Sequence, residues 1–352
     1  MKTEVRTIGE YRSPDACKTV AEAGELIRRG GLVIFPTETV YGLGADGTSA
    51  AAARAIYEAK GRPQDNPLIL HIAEPEDAEC YTSTTPLYFE LARRFMPGPL
   101  TVIMKSKDTV PLEVRAGLDT VAVRCPGHPV ARMLIAAAGV PIAAPSANLS
   151  GKPSPTCAAH VIDDMNGRVD MILDGGTCEV GLESTIVKIE EDASLTLLRP
   201  GYITLEDLKT VTPNVRVAPS VTASLREGEQ VLSPGMKYRH YAPEAPLYLL
   251  NGNFNLRQKY IAEQNTRCAV LCYDEEVSAF TAMLGADAVF SLGAVSDRQQ
   301  HAKRLFEVLR AVDKGPFDVI FAPLPDREGL GLALYNRMIR AAAYQIVDLT
   351  AN

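Results

Sequence analysis

Two cations near the middle of the N-terminal half are the first residues whose spacing points to chemistry. Lys60 and Arg62 stand two residues apart, just beyond an alanine-rich stretch, and Pro63 and Asn66-Pro67 hold the following chain extended. Cations at a helix C-terminus can simply complement the helix dipole. On a rigid connection between two core elements they can also clamp an anion, and we expect both side chains to reach the surface.

Hydroxyl groups follow two short apolar runs. The run LVIF at 32–35 leads into PTET at 36–39 and then into the glycines of YGLG at 41–44, a sequence suited either to an ordinary turn or to close approach of a ligand. The run PIAAP at 141–145 leads into SANLSGKPS, where Ser146 and Asn148 would share one face and loop N–H groups could cradle a phosphate. The run lacks the G-x-x-x-x-G-K-[ST] pattern, so that motif does not support nucleotide binding.

Two further stretches hold candidate functional side chains. Arg124 closes the apolar run TVAVR where a turn begins, whereas His71 lies inside the run LILHI, where a histidine is more often a satisfied core residue than a catalyst. The stretch SPGMKYRHYAP at 233–243 places Tyr238, His240 and two cations between prolines. Aromatic and cationic side chains together suit stacking on a base and pairing with phosphate, so we expect more than a tether here.

The elements that must position these groups fall into two α/β regions. Up to residue 210, helices predicted at 14–29, 49–60, 86–96 and 130–138 are mixed with strands at 32–35, 68–72, 100–104 and 120–124. Residues 211–230 are polar and weakly patterned, which is typical of a linker. From residue 246 onward, strands and helices alternate, which predicts a parallel sheet with right-handed crossovers. The predicted organisation is a domain at 1–210, a linker at 211–245 and a domain at 246–352.

Composition restricts the class of protein. The 352 residues are 46% hydrophobic and 22% charged, as in ordinary globular proteins, and no run of about 18 apolar residues could span a membrane. The N-terminus has no apolar signal segment, and seven scattered cysteines without a C-x-x-C pair predict reduced thiols in the cytoplasm. Residues 1–210 carry a net charge of −7, which argues against strong direct nucleic-acid binding.

Together, several motifs resemble a known family. GGLVIFPTETVYGLG, Lys60-x-Arg62 with NPL, PGPLT, VAVRCP, PSANLSG and STIV resemble the YrdC-like domain. The SPGMKYRHYAP stretch followed by a Rossmann-like domain is similar to the long, two-domain form of the threonylcarbamoyl-AMP synthase family. The resemblance covers essentially the whole chain. It implies an N-terminal YrdC-like domain with a mixed, twisted α/β sheet, a linker, and a smaller C-terminal Rossmann-like parallel α/β domain.

The resemblance also implies a nucleotidyltransferase reaction. L-threonine, bicarbonate or CO2 and ATP would give threonylcarbamoyl-AMP and pyrophosphate, and a tRNA threonylcarbamoyl transferase complex would use the product to make N6-threonylcarbamoyladenosine. Mg²⁺ would arrive with ATP, without fixed protein ligands. The carbamate formed from threonine and the α-phosphate of ATP, which must react, are both anions. The site must therefore screen their like charges and hold them in line, and no side-chain nucleophile is required.

The site residues carried over by the resemblance form three sets. Lys60 and Arg62 would lie near the reacting anions. L-threonine would be surrounded by Thr37 or Thr39, His71, Arg124, Ala144 through its backbone, and Ser184. ATP would be held by Arg62, Asn66, Thr120, Ser146, Asn148, Ser154 and Arg199, with Tyr238 and His240 closing the linker over the nucleotide.

Other interpretations of the sequence predict different partners. An RNA-binding module acting in tRNA or ribosome maturation would use a concave face of such a domain, but the acidic N-terminal half counts against it. Carbamoyl transfer in hydrogenase maturation would bring cysteine-rich zinc fingers, which this chain lacks. The oligomeric state and the role of the C-terminal domain beyond positioning the linker stay open.

Overall fold

The computed structural model describes residues 2–223 and 241–350. The chain divides into two compact units. Among the described residues, the first unit contains 2–150 and 154–223, and the second contains 151–153 and 241–350. The predicted linker residues 224–240, including Tyr238 and His240, lie outside the described residues, and the boundaries of the linker stay a prediction.

The first unit mixes strands and helices along the chain, as the sequence predicts. Its strands are β1 (Glu4–Thr7), β2 (Val33–Phe35), β3 (Gly42–Asp46), β4 (Ile69–His71), β5 (Leu100–Lys105), β6 (Thr120–Arg124), β7 (Ile142–Ala144), β8 (Met171–Asp174), β9 (Thr185–Ile189), β10 (Leu195–Arg199) and β11 (Val215–Val217). Its helices are α1 (Pro14–Arg28), α2 (Ala50–Lys60), α3 (Pro86–Phe95), α4 (Pro129–Ala138), α5 (Ala158–Met165) and α6 (Leu205–Lys209).

Among the described residues, these strands form one sheet in the order β1-β8-β2-β3-β7-β4-β6-β5-β9-β10-β11. Parallel and antiparallel pairs alternate through its centre: β4 is parallel to β6 and antiparallel to β7, and β5 is antiparallel to β6 and parallel to β9. The prediction of a mixed sheet is confirmed. Helices α1 and α4 pack together over the β2 side of this sheet and bury Val20, Ile27 and Leu134.

Local signals determine where the helices begin and end. Ser13 caps α1 through a hydrogen bond from the Ala16 N–H, and Ser49 caps α2 in the same way. Gly61 ends α2 in the left-handed conformation, with φ 61°, which a glycine adopts without steric cost. This C-cap makes Lys60 the last residue of α2 and fixes where its side chain starts.

The glycines at 42 and 44 are needed for packing inside the sheet, and the approach of a ligand to them stays a prediction. They belong to β3, which is antiparallel to β2 and β7. A Cβ atom on Gly44 would lie 2.7 Å from Ile142 Cγ2 and 2.8 Å from Phe35 Cε1. The glycines therefore allow close packing of the core side chains on both neighbouring strands.

The first sheet also extends past residue 210, the predicted end of the first domain. Strand β11 pairs in parallel with β10, and Ser220 and Val221 beyond it are buried. The three-residue strand is too short to give a clear alternating pattern, so the sequence suggested only polar, weakly patterned chain. Part of the predicted linker is therefore an edge of the sheet.

The second unit alternates regularly between strands and helices. Its elements are β12 (Leu247–Asn251), α7 (Phe254–Ala262), β13 (Cys268–Cys272), α8 (Val277–Leu284), β14 (Val289–Ser291), α9 (Arg298–Val312), β15 (Val319–Pro323), α10 (Leu330–Ala341) and β16 (Ile346–Asp348). All strand pairs here are parallel, in the order β14-β13-β15-β12-β16. The predicted parallel sheet is confirmed. Across the described part of the chain, no helix combines the length and apolar character needed to cross a membrane.

Candidate functional site

Four predicted site residues share one face of the first sheet. His71 pairs with Arg124 across β4 and β6, and Ile69 pairs with Ala144 across β4 and β7. Directly paired residues share a face, as do residues two apart on one strand. Thr120 lies four residues before Arg124 on β6, so it joins this face, and the register alone brings these residues together.

Arg124 forms a buried ion pair with Glu38, a residue that the sequence analysis left without a role. Arg124 Nη2 lies 2.7 Å from Glu38 Oε1, and the side chains are 5% and 12% exposed. Arg124 Nε also donates to the carbonyl of Gly98 at 3.3 Å. Among the described residues, no donor reaches Glu38 Oε2. This buried oxygen keeps acceptor capacity for a ligand, although the main-chain N–H of Gly127 also helps to lower the pKa of Glu38.

The electrostatic environment keeps Glu38 ionised. Burial on its own would raise the pKa of Glu38, but the charge of Arg124 and its hydrogen bond outweigh burial and hold that pKa below its usual value. Glu38 therefore presents a negative charge beside the Arg124 guanidinium. A positively charged substrate group, such as an ammonium, matches it.

The two candidate threonines differ in the use of their hydroxyl groups. Thr37 Oγ1 donates to the carbonyl of Val40 at 2.6 Å and accepts the N–H groups of Thr39 and Val40 at 3.2 Å. It also lies 2.8 Å from Thr39 Oγ1, so the Thr39 hydroxyl is the donor of that pair. Thr37 is thus used in holding the turn, whereas Thr39 keeps acceptor capacity. Of the two hydroxyl groups, that of Thr39 is therefore the one with capacity for a further contact.

His71 is a neutral, packed side chain. Its Nδ1 lies 3.1 Å from the Ile69 carbonyl, and its ring meets Phe35 edge-on with the centroids 5.9 Å apart. Burial, and then the charge of Arg124, lower the pKa of His71 to about 3. At neutral pH it can contribute shape and one polar nitrogen to the site, but no positive charge.

Ser184 and Arg199 lie in one hydrogen-bonded group with Thr101. Ser184 Oγ is 2.7 Å from Thr101 Oγ1 and accepts from Arg199 Nη2 at 3.1 Å, and Arg199 Nε donates to the Ser184 carbonyl at 3.0 Å. All three residues are buried. Ser184, which is predicted to bind L-threonine, therefore contacts Arg199, which is predicted to bind ATP. Such a contact suits a site where two substrates meet.

Ser154 has a carboxylate partner that the sequence analysis missed. Its hydroxyl donates to Glu183 Oε1 at 2.5 Å, and both residues are buried. Glu183 immediately precedes Ser184, so the loop before β9 serves both groups. Neither Glu183 nor Thr101 stands out in the sequence, because a single carboxylate in a loop and a threonine in a strand are common.

Lys60 corrects the expectation of a side chain that reaches the surface. It is 3% exposed, and its Nζ donates to the carbonyls of Ser146 and Asn148 at 2.5 and 2.6 Å. Ser146 Oγ also donates to Asn148 Oδ1 at 2.5 Å. Because α2 ends at Gly61, the Lys60 side chain turns inward onto the loop after β7. Lys60 therefore organises the loop that carries Ser146 and Asn148.

Asn66 presents a buried side-chain amide that no described residue satisfies. Its backbone carbonyl accepts from Tyr57 Oη at 2.9 Å and from Arg62 Nη2 at 3.1 Å, which fixes its position. The side chain is fully buried, and neither Oδ1 nor Nδ2 has a hydrogen-bond partner. A buried polar group without a partner costs about 1–3 kcal/mol. A ligand that pairs with the amide would recover this free energy.

The described residues hold no preformed metal site. In residues 2–223 and 241–350, no three His, Cys, Asp or Glu side chains are grouped so that they could bind a metal. Glu38 and Glu183 each already share one oxygen with a neighbour. Whether a Mg²⁺ ion has fixed ligands in this protein therefore stays a prediction, and no reaction step is assigned to one.

The fold and the site define an α/β protein whose first unit gathers buried cations and an open carboxylate oxygen on a mixed sheet. A family model described as "Telomere recombination", for Sua5, YciO and YrdC proteins, matches residues 25–201. A second, described as "Threonylcarbamoyl-AMP synthase, C-terminal domain", matches residues 203–343. The chain belongs to the threonylcarbamoyl-AMP synthase family in its two-domain form, and it is an enzyme of the nucleotidyltransferase type.

Relatives and solved structures cover nearly the whole chain. The threonylcarbamoyl-AMP synthase of Pyrococcus abyssi is 43% identical over 333 residues, which cover 93% of this chain and 95% of that protein. The protein of the same name from Bacillus subtilis is 44% identical, with coverage of 93% and 94%. The crystal structure of P. abyssi Sua5 complexed with L-threonine matches with a TM-score of 0.88 at 40% identity, covering 98% of this chain and 99% of that one.

Proposed function

We propose that this chain forms L-threonylcarbamoyl-AMP and pyrophosphate from L-threonine, bicarbonate or CO2, and ATP. The observation that carries the proposal is two buried polar groups without a hydrogen-bond partner among the described residues: Glu38 Oε2, whose carboxylate is paired with buried Arg124, and the Asn66 amide, whose residue is held by Arg62. Such groups cost free energy unless a ligand pairs with them. A zwitterionic amino acid and a polyanionic nucleotide together match this combination of one open carboxylate and several cations.

L-threonine would bind against Arg124 and Glu38. Arg124 uses Nη2 for Glu38 and Nε for a backbone carbonyl, so Nη1 remains to hold the threonine carboxylate. Glu38 Oε2 would accept the ammonium, and Thr39 Oγ1 would accept a further hydrogen bond from the substrate. His71, Ala144 and Ser184 complete the predicted set. Neutral His71 fits a role in shaping the pocket.

The chemistry requires anions to react with each other. The threonine nitrogen, as a free amine, bonds to the carbon of CO2 and loses a proton to give a carbamate; from bicarbonate the same carbamate forms as a C–O bond breaks and water leaves. A carbamate oxygen then bonds to the α-phosphorus of ATP while pyrophosphate leaves. Fixed cations aimed at the developing charge are the main way to lower such a barrier, and removing one charged or polar donor typically costs about 10²–10³ in rate.

The predicted nucleotide residues supply those cations and their framework. Arg62 and Arg199 would contact the phosphates. Lys60 holds the loop of Ser146 and Asn148, and these two side chains would face the nucleotide. The Asn66 amide and Thr120 would complete the ATP site. ATP would enter as its Mg²⁺ complex, in which the metal draws charge from the phosphate oxygens.

The linker would close over this site. Tyr238 and His240, which lie outside the described residues, are proposed to cover the nucleotide, because a carbamate and a mixed anhydride are both labile to water. The product would then pass to a tRNA threonylcarbamoyl transferase complex, which would build N6-threonylcarbamoyladenosine.

The test is to incubate the full chain with ATP, L-threonine and bicarbonate and to detect threonylcarbamoyl-AMP and pyrophosphate by mass spectrometry. We expect AMP-containing product only when threonine and bicarbonate are both present. Equal AMP release without threonine would refute the proposal. Tight tRNA binding in a gel shift without ATP, together with no threonylcarbamoyl-AMP, would favour the RNA-binding alternative instead.

A further inference from the structure

The second unit contains a cavity of about 340 Å³ that the proposed reaction does not use. It lies where the chain leaves two neighbouring parallel strands in opposite directions. Strands β13 and β15 are neighbours in the sheet. After β13 the chain continues to β14 at one edge of the sheet, and after β15 it continues to β16 at the other edge. In open parallel sheets, ligands bind at such a reversal, outside the carboxyl ends of the strands.

The lining of the cavity follows from this topology. Tyr273 comes directly after β13, and Leu324, Pro325 and Asp326 come directly after β15. Helices α9 and α10, which pack against each other, close the sides with Leu305 and with a set of residues on α10. Every lining residue lies in the second unit. The volume is at the lower end of the 300–1,000 Å³ range of small-molecule sites.

Aliphatic side chains and polar groups share the walls. Leu305, Leu334 and Met338 are buried at 0%, 4% and 1% exposure, and Leu292 and Leu324 also contribute. His301 packs its ring against Tyr273 with the centroids 4.9 Å apart and is held by the Ala294 carbonyl 2.7 Å from its Nε2. The interior therefore suits a small apolar or aromatic body.

Two opposite charges lie side by side at the solvent-exposed part of the lining. Arg298 Nη2 and Asp326 Oδ2 are 2.7 Å apart, and both side chains are about half exposed, at 46% and 47%. Arg298 Nε and Nη1 have no partner within the described part of the chain. The neighbouring acid Asp297 is used as the N-cap of α9. A ligand with a single charge would be repelled by the member of the pair that carries the same charge: a carboxylate by Asp326, or an ammonium by Arg298.

We propose that this cavity binds a free α-amino acid with an aliphatic or aromatic side chain. Its carboxylate would pair with Arg298, its ammonium with Asp326, and its side chain would enter the apolar interior. A zwitterion satisfies both members of an ion pair without adding net charge, and removing its apolar side chain from water favours binding further. The site is separate from the threonine site of the first unit and does not depend on the proposed reaction.

The test uses the full chain and three matched probes. L-leucine carries both charges, 4-methylpentanoate lacks the ammonium, and 3-methylbutylamine lacks the carboxylate. Isothermal titration calorimetry should show saturable leucine binding with a Kd below about 10 mM and at least ~10-fold weaker binding of each single-charge probe, as expected for the loss of a charge-assisted hydrogen bond.

Two variants and one control locate the site. Arg298→Gln should weaken leucine binding at least ~10-fold, and Leu334→Trp should abolish it by filling the cavity. Arg267→Gln is the matched control. Arg267, just before β13, forms an exposed pair with Asp318, just before β15, at the ends of these strands away from the cavity. A thermal melt of each variant verifies folding, and if Leu334→Trp does not fold, Arg298→Gln decides alone. No leucine binding, equal binding of 3-methylbutylamine, or full binding in Arg298→Gln would overturn the proposal.

Discussion

Replacement of Lys60 by methionine should lower both the stability and the synthetic rate of this enzyme. Methionine keeps the length of the side chain but removes its charge and all three donors. In the structure Lys60 donates to the carbonyls of Ser146 and Asn148 at 2.5 and 2.6 Å, and it is 3% exposed. The substitution would leave both carbonyls without this donor. The loss of stability and the loss of rate share one cause, which is the collapse of the loop that follows β7.

The magnitude follows from these two contacts. A hydrogen bond to a charged group contributes about 1.5–3 kcal/mol, so the loss of both should cost roughly 3–6 kcal/mol of unfolding free energy. A whole domain is stable by only about 5–15 kcal/mol. For a domain of this size, each kcal/mol shifts Tm by about 2–4 °C, so the melting temperature should fall by more than about 6 °C. Synthesis should fall by about 10²–10³ at temperatures where the variant is folded.

Two further variants make this prediction specific. Arg54→Met, on the same helix, removes an exposed pair with Glu113 and should change stability by at most about 1 kcal/mol. Arg62→Met should shift Tm less than Lys60→Met, because Tyr57 still donates to the Asn66 carbonyl when Arg62 is lost, but it should reduce synthesis strongly. Differential scanning calorimetry and product formation measure the two effects. An unchanged Tm for Lys60→Met, with circular dichroism like wild type, would refute the reasoning.

Three other predictions follow from the site. Glu38→Gln should raise the KM for threonine about 10–100-fold through loss of the ammonium contact, whereas Glu90→Gln, at an exposed position of α3, should not. Since the pKa of His71 is about 3 in the folded chain and about 6.5 when unfolded, the unfolded state binds more protons between these values. Stability should therefore fall as pH drops from about 6.5 toward 3, and urea titrations should show a shallower fall in His71→Asn. Truncation after residue 223 should leave a folded unit that binds threonine but turns over ATP poorly; wild-type turnover would show that the linker is only a tether.

The truncation point illustrates what the sequence could not show. A cut after residue 210, the predicted domain end, would remove β11, which pairs with the strand that carries Arg199. Its loss would expose an edge of the sheet beside a predicted ATP residue. A poor rate after such a cut would report damage to the site as well as loss of the linker. A cut after residue 223 separates the two effects.

Elements with local signals were predictable, whereas elements made by distant pairing were not. Helices α1 and α2 begin within one residue of their predicted starts, because Ser13, Ser49 and the following residues carry the cap signals. Strand β3 was missed because glycines at positions 42 and 44 lower strand propensity, and only pairing with β2 and β7 makes this segment a strand. Its geometry is determined by neighbours up to about a hundred residues away.

The same distinction holds for the site. Arg124 could be proposed from its place at a strand end, but its partner Glu38 lies 86 residues earlier. Lys60 could be proposed as a cation after a helix, but the carbonyls it bonds lie 86 and 88 residues later. Residue type and local position therefore indicated which side chains matter. Their orientation, and with it the buried state of Lys60, depended on the fold.

The backbone carbonyls that the site cations contact explain how the fold can place four cations in its candidate site. Lys60, Arg62, Arg124 and Arg199 each donate to at least one backbone carbonyl. A carbonyl dipole helps to fix the position of a cation without itself neutralising the formal charge, and Arg124 is held in addition by its ion pair with Glu38. Glu38 differs because its second oxygen is open and it carries the charge suited to an ammonium. Carbonyl contacts thus position the cations for the proposed phosphate and carboxylate groups, while Glu38 holds Arg124 through Oε1 and keeps Oε2 for the proposed amine contact.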